Sequence, residues 1–572
     1  MLDAQTIDSL SLFGLIICVC YGYHLMGMAI LKRGRTVDVA LTTPLSTILA
    51  GAGVYMLMSV PMVYSGIPIA HTFGSFIFLA LILLVTCRRG LAAIPEAKEM
   101  NRTLFLLLTA ALFPTLAMIS NDIQTSSSEW QYWMVPSLIQ TPGHALPEAY
   151  DILPWQSAVL QHPPAWYIMP LFHDMAGRFK FEQFALTLNF TLCILALISM
   201  VRLCDLRVRW SNVSVVTGGL AFSFFALSPL ISIKTLLSIQ PDIIAGCALL
   251  AISAPLLKAG GLPFKGQAGL TAFAGALLAL SAPDGIFYIV VLSIFWVMRS
   301  LKEPKMTRAG CLKSTVLILL VSGFGMSINR QFVSGVWPWE WHSFYTPSIE
   351  ALTLIIIMGG LLLLWNIASL VRNIPKPSSL PLVTAYTCLW FGLFIAGLPL
   401  TESVLGFVIL IPFWQFAVSA YSRSTYAKTT YNNPWGWGGA FIGITFVLQI
   451  FYLPYTQQSD IIKEDDIASV LSKAEAKNIA IWDKDNAHTY GSWIFMKSAG
   501  KTQYFNAREW ATETPRKGFL PYLQQRKADY LLITAPDKTI SKILKTALPQ
   551  EHVFMLKIGT QKFALVSTSL KK

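Results

Sequence analysis

Residues 267–298 read QAGLTAFAGALLALSAPDGIFYIVVLSIFWVM, and the reading of Pro283-Asp284-Gly285 in the middle decides the fold. One long helix here would carry the chain across an apolar layer once and invert every later assignment. Two short passes meeting at Pro283-Asp284-Gly285 return it to the side it came from. The choice follows from the charges on either side of the stretch. Further apolar runs lie at about 9–31, 39–62, 67–87, 103–120, 182–202, 213–233, 240–257, 313–328, 349–371, 380–399, 403–421 and 437–454. Basic residues gather in connectors between them: Lys32 to Arg35, Arg88 to Arg102, Arg202 to Arg209, Lys258 to Lys265, Arg299 to Lys313, Arg372 to Lys376 and Arg423 to Lys428. Cytoplasmic connectors of membrane proteins carry such excess Lys and Arg. These clusters fall at every second connector only if 267–298 is two passes, so parity favours a short hairpin with Asp284 outside.

Composition supports a chain that lives in lipid. It is 54% hydrophobic and 13% charged, where soluble domains are about a quarter charged. A helix needs roughly 20 apolar residues to cross a hydrocarbon core of about 30 Å. The expected architecture is a polytopic α-helical membrane protein of about 13 to 14 crossings. The run at 9–31 follows Asp3 and Asp8 and lacks a positive stretch ahead of it, so it reads as a retained helix, not a cleaved signal. The net charge of +13 is a topology signal and implies no nucleic-acid partner. All eight cysteines lie in or beside apolar runs, so no disulfide framework or metal-binding Cys pair follows.

From about Tyr455 the pattern changes. Short apolar stretches at Asn478–Asp483, Thr502–Asn506, Asp529–Thr534, His552–Ile558 and Lys562–Ser567 alternate with helical ones at Glu464–Lys477 and Gly518–Lys527. This is the pattern of a small α/β domain. An external N-terminus and fourteen crossings leave it outside, as a soluble periplasmic domain over 456–572. It carries no Gly-rich phosphate loop and no Cys/His cluster, and its expected role is a lid or an acceptor-docking surface.

The external connector 121–181 is far longer than an ordinary loop, and long ordered loops are commonly functional. It holds Asn121-Asp122, Glu129-Trp130, Pro142-Gly-His144 and His162-Pro-Pro-Ala-Trp-Tyr-Ile-Met-Pro170. Asp122 sits within two residues of a helix end at the membrane surface, where a carboxylate can deprotonate an acceptor hydroxyl while lipid restricts water. Trp130, Tyr132, Trp133, Trp155, Trp166 and Tyr167 suit an interfacial aromatic belt. Cations and strong donors hold anionic groups, and Arg330 and His162 are the favoured external ones. Asp242 and Asp284 follow prolines near the external face and are candidates to position a substrate. Glu129, Trp339 and His342 complete the substrate-binding candidates, the last two within Trp337-Pro-Trp339-Glu340-Trp341-His342.

The order of an acidic residue just outside a helix, an amphipathic loop, a His-Pro-Pro-aromatic motif, Phe172-His-Asp-Met-Ala-Gly177 and a new helix resembles the GT-C glycosyltransferase superfamily. Lipid A aminoarabinose transferases and protein O-mannosyltransferases have this kind of loop. The resemblance covers roughly 103–455 and, more loosely, the tail; it leaves 1–102 as three extra N-terminal helices. It implies Asp122 as general base and inverting transfer of a sugar from a polyprenyl-phosphate donor to a cell-envelope glycan, lipid or protein at a bacterial inner membrane. The absence of Asn-x-Ser/Thr in the external segments agrees with a bacterial source. The pair here is Asn121-Asp122 where those branches have Asp-Glu, and the loop has no Asp-x-Asp. Branch and divalent-cation dependence therefore stay open, and no other cofactor is implied.

Three other readings fit less. An O-antigen ligase or polymerase is expected to gather Arg and His in a late external loop, whereas the longest loop here is early and led by carboxylates. A transporter of polyprenyl-linked glycans would place charges at helix centres and repeat one half in the other. A scaffold leaves the Trp-rich loop without a purpose.

Overall fold

The structure, a computed structural model, describes residues 4–33, 44–65, 67, 69–86, 192, 195–196, 242–257, 267–281, 285–301, 305–328, 330, 349–371, 380–395, 404, 477–482, 503–508, 510, 518–533, 538–540, 542, 553–558 and 561–567. These residues are mostly helical and fall into two compact units, one reaching Val404 and the other starting at Lys477.

The first unit contains α1 (Ala4–Arg33), α2 (Pro44–Tyr64), α3 (Ile69–Thr86), α4 (Asp242–Leu257), α5 (Gln267–Ser281), α6 (Gly285–Ser300), α7 (Lys305–Ile328), α8 (Ile349–Val371) and α9 (Leu380–Ile395). Among the described residues, two stretches are helical, long and apolar enough to cross a membrane, Pro44–Met62 and Ala309–Ile328. The runs at 103–120, 213–233 and 437–454 lie outside the described residues. Those at 182–202 and 403–421 are described only at Leu192, Leu195, Ala196 and Val404, each helical and buried.

α2 is helical from Pro44, a residue that suits a first helical position because its φ is right and it lacks only a donor that would be unpaired there anyway; residues 39–43 lie outside the described residues. One helix start differs from the sequence reading: α7 begins at Lys305, not at 313. Lys, Met and Arg are good helix formers, so the basic segment 305–313 is the first part of the helix and not a connector.

Glycines set the order of the helices. A Cβ on Gly51 of α2 would meet the carbonyl oxygen of Tyr23 in α1, and one on Gly27 of α1 would lie 2.6 Å from the Thr47 Cα of α2. The two backbones touch at reciprocal glycines, and the chains run antiparallel. Gly53, two residues on and so on the far side of α2, abuts Phe273 of α5. On α5, Gly275 meets Ser322 and Ala276 meets Gly325, both of α7. The helices α1, α2, α5 and α7 thus pack in a row.

The turn that decided the sequence reading is visible at its two edges. A Cβ on Gly285 would lie 2.8 Å from the carbonyl carbon of Leu278 and 3.1 Å from the Ala279 Cα. In one straight helix, positions seven apart are separated by about 10 Å. The chain therefore reverses between Ser281 and Gly285, and α5 and α6 form a hairpin.

The second unit is built on a sheet of β1 (Asn478–Trp482), β2 (Gln503–Asn506), β3 (Tyr530–Ile533), β4 (Val553–Ile558) and β5 (Gln561–Ser567), with helix α10 (Phe519–Gln525) between β2 and β3. The expected helix at Glu464–Lys477 lies outside the described residues apart from Lys477. The strand order is β2-β1-β3-β5-β4: β2, β1 and β3 are parallel, whereas β5 is antiparallel to β3 and β4. In β1, Ile479, Ala480, Ile481 and Trp482 are all buried, as expected of a central parallel strand covered on both faces. Trp482 packs edge-on against Phe519 of α10 in a core with Phe505, Leu531, Ile533 and Val566.

The end of α10 aligns the sheet. Ala528 N–H bonds the Leu523 carbonyl and Lys527 N–H that of Gln524, with Lys527 at φ 54°, a Schellman turn that stops the helix. Asp529 follows, and its carboxylate accepts the N–H groups of Lys477 and Asn478 at 2.8 and 2.9 Å, pinning the start of β1 to the start of β3. Trp482→Ala removes the largest side chain of this core and is expected to cost about 3–5 kcal/mol. Limited proteolysis of the full-length variant should cut within 477–567 under conditions that leave the unmodified chain intact there.

Candidate functional site

Side-chain contacts fix which helix ends share a side of the first unit. α1 and α2 are antiparallel, as the glycine pairs require. α5 runs parallel to α7 through Gly275/Ser322 and Ala276/Gly325, and its start meets the end of α1 where Gly269 faces Ile30. Tyr55 of α2 shares a hydrogen bond with Thr72 of α3 at 3.0 Å. Tyr288 of α6 packs on Trp390 of α9, and Phe295 of α6 on Tyr386, so α6 and α9 are antiparallel. Tyr386 donates to Ser253 near the end of α4 at 2.7 Å, and Asn366 near the end of α8 donates to Thr384 near the start of α9 at 2.6 Å.

One end of the helical unit therefore gathers Arg33, Pro44, Leu257, Gln267, Ser300, Lys305, Val371 and Leu380. The opposite end gathers Tyr64, Ile69, Asp242, Ser281, Gly285, Ile328 and Ile349. The basic clusters lie in sequence in the connectors that leave the first end and in the helix ends that flank them. The second end carries the first residue of α4, Asp242, the reversal between α5 and α6, and Arg330 just beyond α7.

Of the eight candidate residues, two are described. Asp242 opens α4. Arg330 is exposed and makes its own contacts. Asp284 lies in sequence between Ser281 and Gly285, both at the Asp242 end, and is itself outside the described residues. So are Asp122, Glu129, His162, Trp339 and His342. Among the described residues no group of three or more His, Cys, Asp or Glu side chains is placed to hold a metal ion.

The structure adds polar contacts inside the helical unit that no sequence pattern announced. His24 Nδ1 lies 2.7 Å from Thr47 Oγ1, and the Thr47 hydroxyl donates to the Pro44 carbonyl at 2.9 Å. With that proton used, His24 donates from Nδ1, which fixes its tautomer. The Ser253 hydroxyl passes its own proton to the Leu249 carbonyl at 2.6 Å, so it accepts from Tyr386. Such partners are invisible in sequence because they lie up to 133 residues apart.

No protein-family model matches the chain, and no curated protein matches it.

Proposed function

We propose that this chain is a polytopic membrane glycosyltransferase that moves a sugar from a polyprenyl-phosphate donor to a periplasmic acceptor, with Asp122 as the general base. The observation that carries the reading is the sorting of helix ends. One end of the bundle is flanked in sequence by the basic clusters, and the other holds Asp242, the α5–α6 reversal next to Asp284, and Arg330. That is the arrangement of a bundle with a cytoplasmic and an external face, the chemistry gathered on the external one.

The outer surfaces of the helices support the membrane part. Leu320 and Phe324 of α7 are 68% and 59% exposed, and Ile356, Leu361, Leu364 and Ile367 of α8 are exposed as well. Water penalises such a surface by about 25 cal/mol for each Å², whereas hydrocarbon tails do not. Charges are sparse in these helices: α2, α3, α5 and α9 contain no Asp, Glu, Lys or Arg, and α4 contains only Asp242.

The enzymatic part rests on the loop 121–181 and its resemblance to GT-C transferases. An oxyanion leaving as polyprenyl phosphate needs a positive partner, which Arg330 and His162 supply. Asp242 and Asp284 orient hydroxyls of the sugar or acceptor, with Glu129, Trp339 and His342 completing the substrate site. Reconstituting the full-length protein in vesicles with radiolabelled polyprenyl-phosphate sugars tests this. The expected result is label moving from the organic-soluble donor to an envelope acceptor, with release of polyprenyl phosphate. Donor that remains intact with every envelope fraction supplied as acceptor would rule the reading out.

A further inference from the structure

One face of α7 is apolar and exposed, and it ends in cations. Leu312, Val316, Leu317, Leu320 and Phe324 are exposed on it, and Lys313 is exposed among them. Cys311, Ser314, Ile318 and Ser322 are buried on the other side of the helix. Residues 314–329 contain no Asp, Glu, Lys or Arg, a stretch that rises about 24 Å as helix. Lys313 therefore marks the end of the apolar run. Lys305 lies four positions before the exposed Ala309, and Arg308 four before Leu312, so both fall on the same face of the helix.

α6 brings apolar side chains to the same level. A Cβ on Gly275 of α5 would meet Ser322 of α7 and would lie 3.7 Å from the Ile289 Cδ1 of α6, so Ile289 and Ser322 share a level. α6 runs opposite to α7, because it reverses from α5 and α5 is parallel to α7. Met298, nine residues past Ile289, thus stands level with Lys313, nine residues before Ser322. Ile294 stands level with Leu317 in the same way. Ile294 and Met298 are both exposed. Beyond Lys313, the positions of Arg308 and Lys305 rise by about 8 and 12 Å. With Lys313 at the border of the hydrocarbon, Arg308 falls at the outer part of a headgroup layer roughly 5–8 Å deep, and Lys305 just outside it.

From this placement we infer that the basic end of the α6–α7 pair binds an anionic phospholipid, its phosphate on Lys313 and its acyl chains along Ile294, Met298, Val316 and Leu320. The inference rests on the membrane part of the proposed function and not on the transferase part. A lysine stem lies along apolar surface while its ammonium reaches the phosphate layer. Residues 299–313 hold five Lys or Arg and one Glu, and each basic residue at a membrane surface favours anionic lipid about fivefold. Charge also selects lipid over a second copy of the chain. Two copies in the same membrane orientation, meeting through this face about a two-fold axis, would bring their cations to one level, where like charges repel.

Native mass spectrometry of full-length protein in neutral detergent, given equal amounts of phosphatidylglycerol and phosphatidylcholine with matched acyl chains, reads the site. Phosphatidylglycerol should be retained in preference. Lys313→Gln should lower that preference about fivefold, and Lys313→Arg, which keeps the charge, should hold it. Lys538→Gln removes an equal charge from an exposed position in the second unit and should leave the preference within twofold. Equal retention of the two lipids overturns the inference and leaves the membrane reading standing, whereas retention of neither overturns both. Unchanged preference in Lys313→Gln, or equal losses in Lys313→Gln and Lys538→Gln, also overturns it. Leu320→Cys tests the rival occupant: a disulfide-linked dimer formed in vesicles by this variant and not by the unmodified chain would give the face to a second copy.

Discussion

Asp122→Asn is expected to lower sugar transfer by two or more orders of magnitude with protein abundance unchanged. General-base catalysis contributes about 10²–10⁴ to rate, and asparagine has nearly the same shape but takes up no proton. The substitution therefore removes the chemistry and leaves the fold. On the proposed function the affinity for donor should change little, because a base at Asp122 would act on the acceptor hydroxyl and not on the lipid phosphate. Arg330→Gln should do the reverse, raising the donor concentration needed for half-maximal rate. Transfer from labelled donor in matched membranes measures both. An Asp122→Asn enzyme with full activity removes Asp122 as the base. Activity lost in Asp122→Asn together with the protein itself would mean a structural role.

The second large effect concerns the helical unit. Gly51→Val is expected to prevent α1 and α2 from packing, so that the protein fails to accumulate or elutes as aggregate. The first atom of the new side chain would press into the Tyr23 carbonyl oxygen and lie 2.7 Å from the Tyr23 carbonyl carbon and 2.8 Å from its Cα. These are backbone atoms of a helix, which cannot rotate aside as a side chain can. Overpacking of ordinary cores costs about 1–3 kcal/mol, and a backbone-to-backbone clash lies at or beyond the top of that range. Gly74→Ala is the matched control. Gly74 is exposed on α3 with nothing within 4 Å of an added Cβ, and helical Gly→Ala is favourable by about 1 kcal/mol. Gel filtration in detergent should give one sharp peak for Gly74→Ala and none for Gly51→Val. A monodisperse Gly51→Val protein would mean that α1 and α2 do not touch at this point.

What was legible in the sequence depended on the range of the physics involved. Strand positions were within a residue or two at Asn478–Trp482, Gln503–Asn506 and Tyr530–Ile533, because each is a short apolar run between turn residues. The α5–α6 reversal was legible only through charge parity across the whole chain, since nothing within 267–298 distinguishes one long helix from two without it. The start of α7 was missed because hydropathy marks the part of a helix that is apolar, and Lys305, Arg308 and Lys313 extend it without being apolar. The row α1–α2–α5–α7 was not legible at all. Gly51 and Gly53 look alike in sequence, and only their partners, Tyr23 and Phe273, reveal that α2 lies between two neighbours. Of the candidate site, Asp242 and Arg330 share an end with the Asp284-bearing reversal; the residues of loop 121–181 lie outside the described set.

The strand order has a consequence for synthesis. β4 reaches the rest of the sheet only through β5, which is made after it and inserts between β3 and β4. As the chain emerges, Val553–Ile558 has no neighbour to bond until Gln561–Ser567 has followed, and β3 keeps one open edge until the same moment. Closure of this half of the sheet therefore waits for its latest-made strand, and a released chain cut between residues 558 and 561 leaves the facing edges of β3 and β4 unpaired and open to aggregation.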